Sequence, residues 1–148
     1  MRALVWIVAE TWQATVAAAA AFLPAEADVT LLYVRSDAET VARGARSALL
    51  GRSPRPNGEA LDVISEQGAR NLLADAQAAL GHQAALDARS GRTEQEVVAA
   101  ADTADLLVFA RDHDRAHRGP RSLGPSARYV VDHARCAVLL IWPDTPSG

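Results

Sequence analysis

The chain has 148 residues, 49% hydrophobic and 22% charged, a balance that suits one water-soluble domain able to bury a core without disulfides or metal. Its net charge of −3 gives no electrostatic case for nucleic acid, and its single cysteine, Cys136, excludes an internal disulfide and a cysteine metal cluster. All fifteen residues counted as Lys+Arg are arginine, which excludes Walker-type phosphate lysines, Schiff-base chemistry and lysine general bases.

Residues 3–8 (ALVWIV) are apolar on both faces, the pattern of a parallel strand covered by helices on each side. Trp12, Val16, Ala19 and Leu23 then fall on one helical stripe, which Pro24 ends. The alanine-rich stretch Val16 to Leu23 is too short to span a bilayer, and no charged segment with a cleavage site precedes it. No membrane association and a cytoplasmic location are therefore expected. VTLLYV (29–34) is a second buried strand. The segment 43–60, with Gly51, Pro54, Pro56 and Gly58, reads as a flexible surface loop within a single domain spanning 1–148, with a short helix over 38–50.

Leu61, Ile64, Gly68, Leu72 and Ala76 predict the apolar stripe of a longer helix that runs to Leu80. QAALDAR (83–89) alternates more and predicts an exposed or edge strand. Thr93 and Glu96 have the spacing of a capping box ahead of Val97, Val98 and Ala101. DLLVFA (105–110) and AVLLIW (137–142) predict the fourth and fifth strands. Between them a helix starts at Gly124-Pro125, proline being well suited to a first helical turn, and ends near His133, whose charge complements the helix dipole. Cys136, among apolar neighbours, reads as a small buried hydrophobe rather than a reactive thiol.

This alternation implies an α/β fold with right-handed crossovers. LLYV (31–34), SGRTEQEVVAAADTADLLVFA (90–110) and LGPSARYVVDHARCAVLLI (123–141), in that order, resemble the universal stress protein family over nearly the whole chain. The resemblance implies a Rossmann-like, open five-stranded parallel sheet of order 3-2-1-4-5 with helices on both faces.

ATP-binding members of that family carry Gly-x-x-Gly, nine residues, then Gly-Ser/Thr between the fourth strand and the last helix. Here only the third glycine, Gly124, is present; the first two positions fall on Arg111 and Asp114, and Pro125 replaces the hydroxyl residue. Glycine at those positions lets backbone N–H groups approach phosphate oxygens, an approach that side chains obstruct and that an aspartate also repels. The acid expected after the first strand is Val8, with Glu10 the nearest carboxylate, and Trp12 reads as core rather than as a base-stacking ring.

Should a nucleotide bind, the resemblance places Val34 against adenine through its backbone. Gly124 and Ser126 would then stand at the helix N-terminus, with Arg111 and Arg118 supplying guanidinium groups. The loop 111–121 carries Arg111, Arg115, Arg118 and Arg121 with His113 and His117 against Asp112 and Asp114, read here as a solvated polar loop without a metal. No nucleophile and base stand in a recognisable arrangement. The last strand is apolar on both faces at a sheet edge and needs a cover, expected from a second copy through Val138, Leu140 and Trp142. The expected function is a non-catalytic, homodimeric stress-response module with a degraded ATP motif and no cofactor. The alternative is an adenine-nucleotide binder, of ATP or AMP, that uses its arginine-rich loop.

Overall fold

The computed structural model describes residues 1–36, 57–111 and 123–143, with the backbone alone for 57–65. In chain order its elements are β1 (Arg2–Trp6), α1 (Trp12–Phe22), β2 (Asp28–Ser36), α2 (Asn57–Leu80), β3 (Ala85–Gly91), α3 (Thr93–Ala101), β4 (Leu106–Ala110), α4 (Pro125–His133) and β5 (Ala137–Ile141). Every strand pair is parallel, and the sheet order is β3-β2-β1-β4-β5, as the resemblance implied.

Strand residues alternate between two apolar layers, which is why the central strands show no polar face. Val5, Ile7, Val29, Leu31 and Val108 meet α1 and α2 through Val16, Ala19, Leu73 and Ala76. Leu4, Trp6, Leu32, Leu107 and Phe109 meet α3 and α4 through Val97, Ala101, Ala127 and Val130. The start of the chain is latched to β4 by the Arg2 amide, which donates to Asp105 Oδ2 at 2.7 Å. That hydrogen bond holds the Asp105 carboxyl below its ordinary pKa.

Four expectations need correction in detail. On α2 the buried residues are Ala69, Leu73, Ala76 and Leu80: Ala76 is buried as expected, whereas Gly68 is exposed and Leu72 half-buried, and the side chains of Leu61 and Ile64 lie outside the described residues. The helix also begins at Asn57, inside the segment read as a loop; residues 37–56, and with them the expected short helix, lie outside the described residues. β3 is an edge strand as expected but is shifted to Ala85–Gly91, because Ala84 is still in the turn, its carbonyl 3.4 Å from Gln77 Nε2. Finally, Thr93 is the first residue of α3 and Arg92 its cap, with no side-chain capping bond. One position into the helix, the Thr93 hydroxyl cannot act as a cap, and Glu96 instead turns its Oε2 to Arg89 Nη1 at 3.5 Å.

The turn that closes α2 depends on Gly81, whose φ of +84° lies in the left-handed region and whose N–H reaches Gln77 O at 3.2 Å. No atom stands within 4 Å of a Cβ added there, so the cost of a side chain is conformational. Gly81→Ala is expected to lower the unfolding free energy by about 1 kcal/mol, read from the urea midpoint.

Candidate functional site

The sheet reverses its winding between β1 and β4, and in open α/β sheets the crevice beyond the carboxyl ends of the strands at such a point is where ligands bind. Val8, Arg111 and the start of α4 approach it from the strand ends; Val34, expected to end the second strand, is instead inside β2, which runs on to Ser36. Leu32 O accepts a hydrogen bond from Ile7 N at 2.7 Å, so Val34, two residues on, turns its own backbone groups toward the same side, past the end of β1. Its side chain is buried in the layer beneath α3 and α4. The backbone role assigned to Val34 is thus geometrically open.

Val8 packs against that same layer, so the position expected to carry an acid is apolar and half-buried, while Glu10 is exposed. Trp12 packs against the opposite layer, with β1 and α2, as a core ring. At α4, Gly124 is the N-cap, Pro125 the first helical residue, and no side chain caps the end. Ser126 follows half-buried in the first turn. This terminus points partial positive charge outward, but its first position has no N–H to offer.

Arg111 is the more informative residue. Its amide donates to Ile141 O at 2.9 Å, extending the β4–β5 ladder, and its guanidinium carbon lies 3.7 Å from the centre of the Trp142 ring. Both the N–H and the side chain at the expected first glycine position are therefore directed toward β5. The stack was visible in principle from register: Ala110 pairs with Ile141, so the next residues of the two strands, Arg111 and Trp142, emerge side by side.

Trp142 stands beyond the end of β5 and is 60% exposed, while Val138 and Leu140 are half-buried against the α3–α4 layer. Arg118, with Asp112, His113, Asp114 and His117, lies outside the described residues. Among the described residues no group of three His, Cys, Asp or Glu could hold a metal. Cys136, expected to be buried, is half-buried against the α3–α4 layer, and burial raises its thiol pKa. His133 Nδ1 donates to Tyr129 O at 2.8 Å and its ring stacks on Tyr129 at 3.9 Å, satisfying a carbonyl of the last helical turn. No described helix is long and apolar enough to cross a membrane.

The family model described as "Universal stress protein family" matches residues 8–141. Among solved structures, the chain resembles the hypothetical protein MJ0577 at 15% identity and a TM-score of 0.73, over 97% of each chain. It resembles the universal stress protein UspA from Lactobacillus plantarum at 21% identity and a TM-score of 0.61, over 95% of this chain and 97% of that one. A universal stress protein solved in complex with cAMP is similar at 18% identity and a TM-score of 0.58, over 97% of this chain and 98% of that one. No curated protein sequence matches.

Proposed function

The chain belongs to the universal stress protein family, and from that premise we propose that it is a non-catalytic, homodimeric, cytoplasmic stress-response module whose ATP motif has lost its grip on phosphate. The observation that carries this reading is the fate of Arg111. Where an ATP-binding member would present a bare glycine amide, this chain ties the amide to Ile141 O at 2.9 Å and lays the side chain on Trp142. Pro125 withdraws a second N–H at α4, and Val8 is apolar where an acid is expected beside β1. Each lost phosphate contact of this charge-assisted kind weakens binding by about 1.5–3 kcal/mol, so two missing amides move a micromolar site to roughly the millimolar range.

Titration calorimetry with ATP and AMP is the test. No saturable heat is expected up to about 1 mM nucleotide. Saturation well below that concentration would overturn the reading. It would favour the second one, in which arginines of the loop, Arg118 among them, replace the glycine amides; then Arg118→Ala should abolish the heat.

The second reading has one observation in its favour, the neighbour solved in complex with cAMP. A cyclic monophosphate asks far less of the phosphate loop than a triphosphate does. cAMP therefore belongs in the same titration series, with silence again expected.

The proposed dimer rests on β5, an edge strand whose residues from Val138 to Ile141 are all half-buried, with no strand on the outer side among the described residues. Antiparallel pairing with a second copy covers such an edge at no cost in new structure.

A further inference from the structure

We propose that the cleft between α2 and the carboxyl ends of β2 and β3 is an oxyanion site that takes a phosphate group, either free or carried as a monoester. It is an open cleft of about 190 Å³ lined by Arg35, Glu66, Arg70, Arg89 and Ser90, with Ala69 and Ala88 providing the room. It is separate from the crevice between β1 and β4, so loss of nucleotide binding there does not bear on it.

Register decides which side chains face the cleft. Arg35 pairs with Ser90 and Tyr33 with Ala88, so these side chains lie on the face covered by α2. Arg89 points to the opposite face, where Asp87 Oδ2 at 2.9 Å and Glu96 Oε2 at 3.5 Å hold its guanidinium. Among the described side chains the charges on the cleft side are thus Arg35 and Arg70 against Glu66, a net positive lining.

Arg35 is the built element. Its side chain is only 22% exposed, yet its ion pair with Glu66 is a single 3.5 Å contact between Nη2 and Oε1. A guanidinium presents five N–H donors in a planar fork matched to two oxygens at once, and among the described residues one long contact leaves most of that capacity unused. Arg70 stands one turn beyond Glu66 on α2, and the Ser90 hydroxyl lies across from Arg35. A tetrahedral dianion bridging these groups gains the two-pronged, charge-assisted geometry that a lone carboxylate does not supply.

Glu66 is then a built-in competitor, occupying the fork loosely until phosphate displaces it. A second cleft, at the amino ends of the strands, has no such bias among its described residues. Its lining balances Arg2 and Arg89 against Asp28 and Asp87.

The experiment is a ¹⁵N NMR titration of the full chain with inorganic phosphate, and separately with glycerol 2-phosphate. Both are run at constant ionic strength against chloride, at a pH where phosphate is a dianion. Saturable shifts are expected at the amides of Ala69, Arg70 and Ser90. Against a dianion, removing or adding one unit charge about 4 Å away in a water-like medium changes affinity roughly 30-fold, so Arg70→Gln and Arg35→Gln should each weaken binding by up to about that factor.

Glu66→Gln should tighten binding by a similar factor, a gain that a merely structural Arg35–Glu66 pair would not produce. Arg70 and Glu66 are exposed on a long helix, so these two variants keep the test open should Arg35→Gln fail to fold. Tighter binding of the monoester identifies a carried phosphoryl group, and equal binding identifies free phosphate; either supports the site. Shifts no different from those with chloride, or a Glu66→Gln variant that binds no better than the parent, overturn it.

Discussion

Phe109→Ala should lower the unfolding free energy by about 3–5 kcal/mol, the range for deleting a fully buried aromatic ring from a close-packed core. Phe109 is 0% exposed on β4, between the two strands that flank it, and is among the largest fully buried side chains of the described residues. Its ring centroid lies 5.2 Å from that of Trp6 at 45°, so the substitution also removes a tilted aromatic pair. The space it vacates lies under α3 and α4, where Val97, Ala101, Ala127 and Val130 have no longer side chain to extend into it.

Little collapse is expected, which places the effect toward the upper end of the range. A domain of this size loses about 2–4 °C of Tm per kcal/mol, so a fall of about 10–20 °C accompanies it in a thermal melt followed by circular dichroism. Val131→Ala on the outer face of α4, at a residue 39% exposed, is the control and should stay within about 0.5 kcal/mol of the parent. A Phe109→Ala loss below about 1 kcal/mol would mean that the α3–α4 layer repacks freely, contrary to the close contact seen.

The strands were legible because burial on both faces leaves no polar residue to blur the pattern. Leu107, Val108 and Phe109 are all 0% exposed, and a short apolar run of this kind, rich in Val, Leu and Phe, fits a covered parallel strand. The phase of α2 was less legible for an equally physical reason. Its buried stripe alternates Leu73 and Leu80 with Ala69 and Ala76, and alanine carries too little hydrophobic contrast to mark a face, whereas the conspicuous Leu72 sits at its margin.

At the candidate site the same division holds. Gly124-Pro125 announced the start of α4 because a proline tolerates only the first helical turn. The fate of Arg111 depends on which residue the next strand delivers beside it. That is a matter of register between segments some thirty residues apart, which no local pattern encodes. Trp142 was counted with the strand for its apolarity, but pairing stops at Ile141 because β4 stops at Ala110; the indole then serves Arg111.

Register also supplies the sharpest test of the proposed dimer. Ile141 O accepts the Arg111 amide at 2.9 Å, so Ile141 points its backbone groups inward to β4, and by the alternation of a strand Val138 and Leu140 point theirs outward. Leu140→Pro therefore removes an N–H from the outer edge while leaving the inner ladder to β4 whole, the one place in a strand where proline is tolerated. Across a two-fold axis the change counts twice, deleting two hydrogen bonds of about 1 kcal/mol each and placing two rings in the seam, so the dimer dissociation constant should rise at least about 30-fold.

Sedimentation velocity at micromolar chain should show the parent as a dimer and the variant shifted to monomer. Far-ultraviolet circular dichroism should remain unchanged and the melting temperature should fall only slightly, since Leu140 is half-buried and the proline ring keeps part of its contact with the α3–α4 layer. Leu139→Pro is the matched control, because its N–H points inward: it should break the ladder and destabilise the fold itself. A parent that sediments as a monomer, or a Leu140→Pro variant that remains as dimeric as the parent, would remove β5 as the site of assembly.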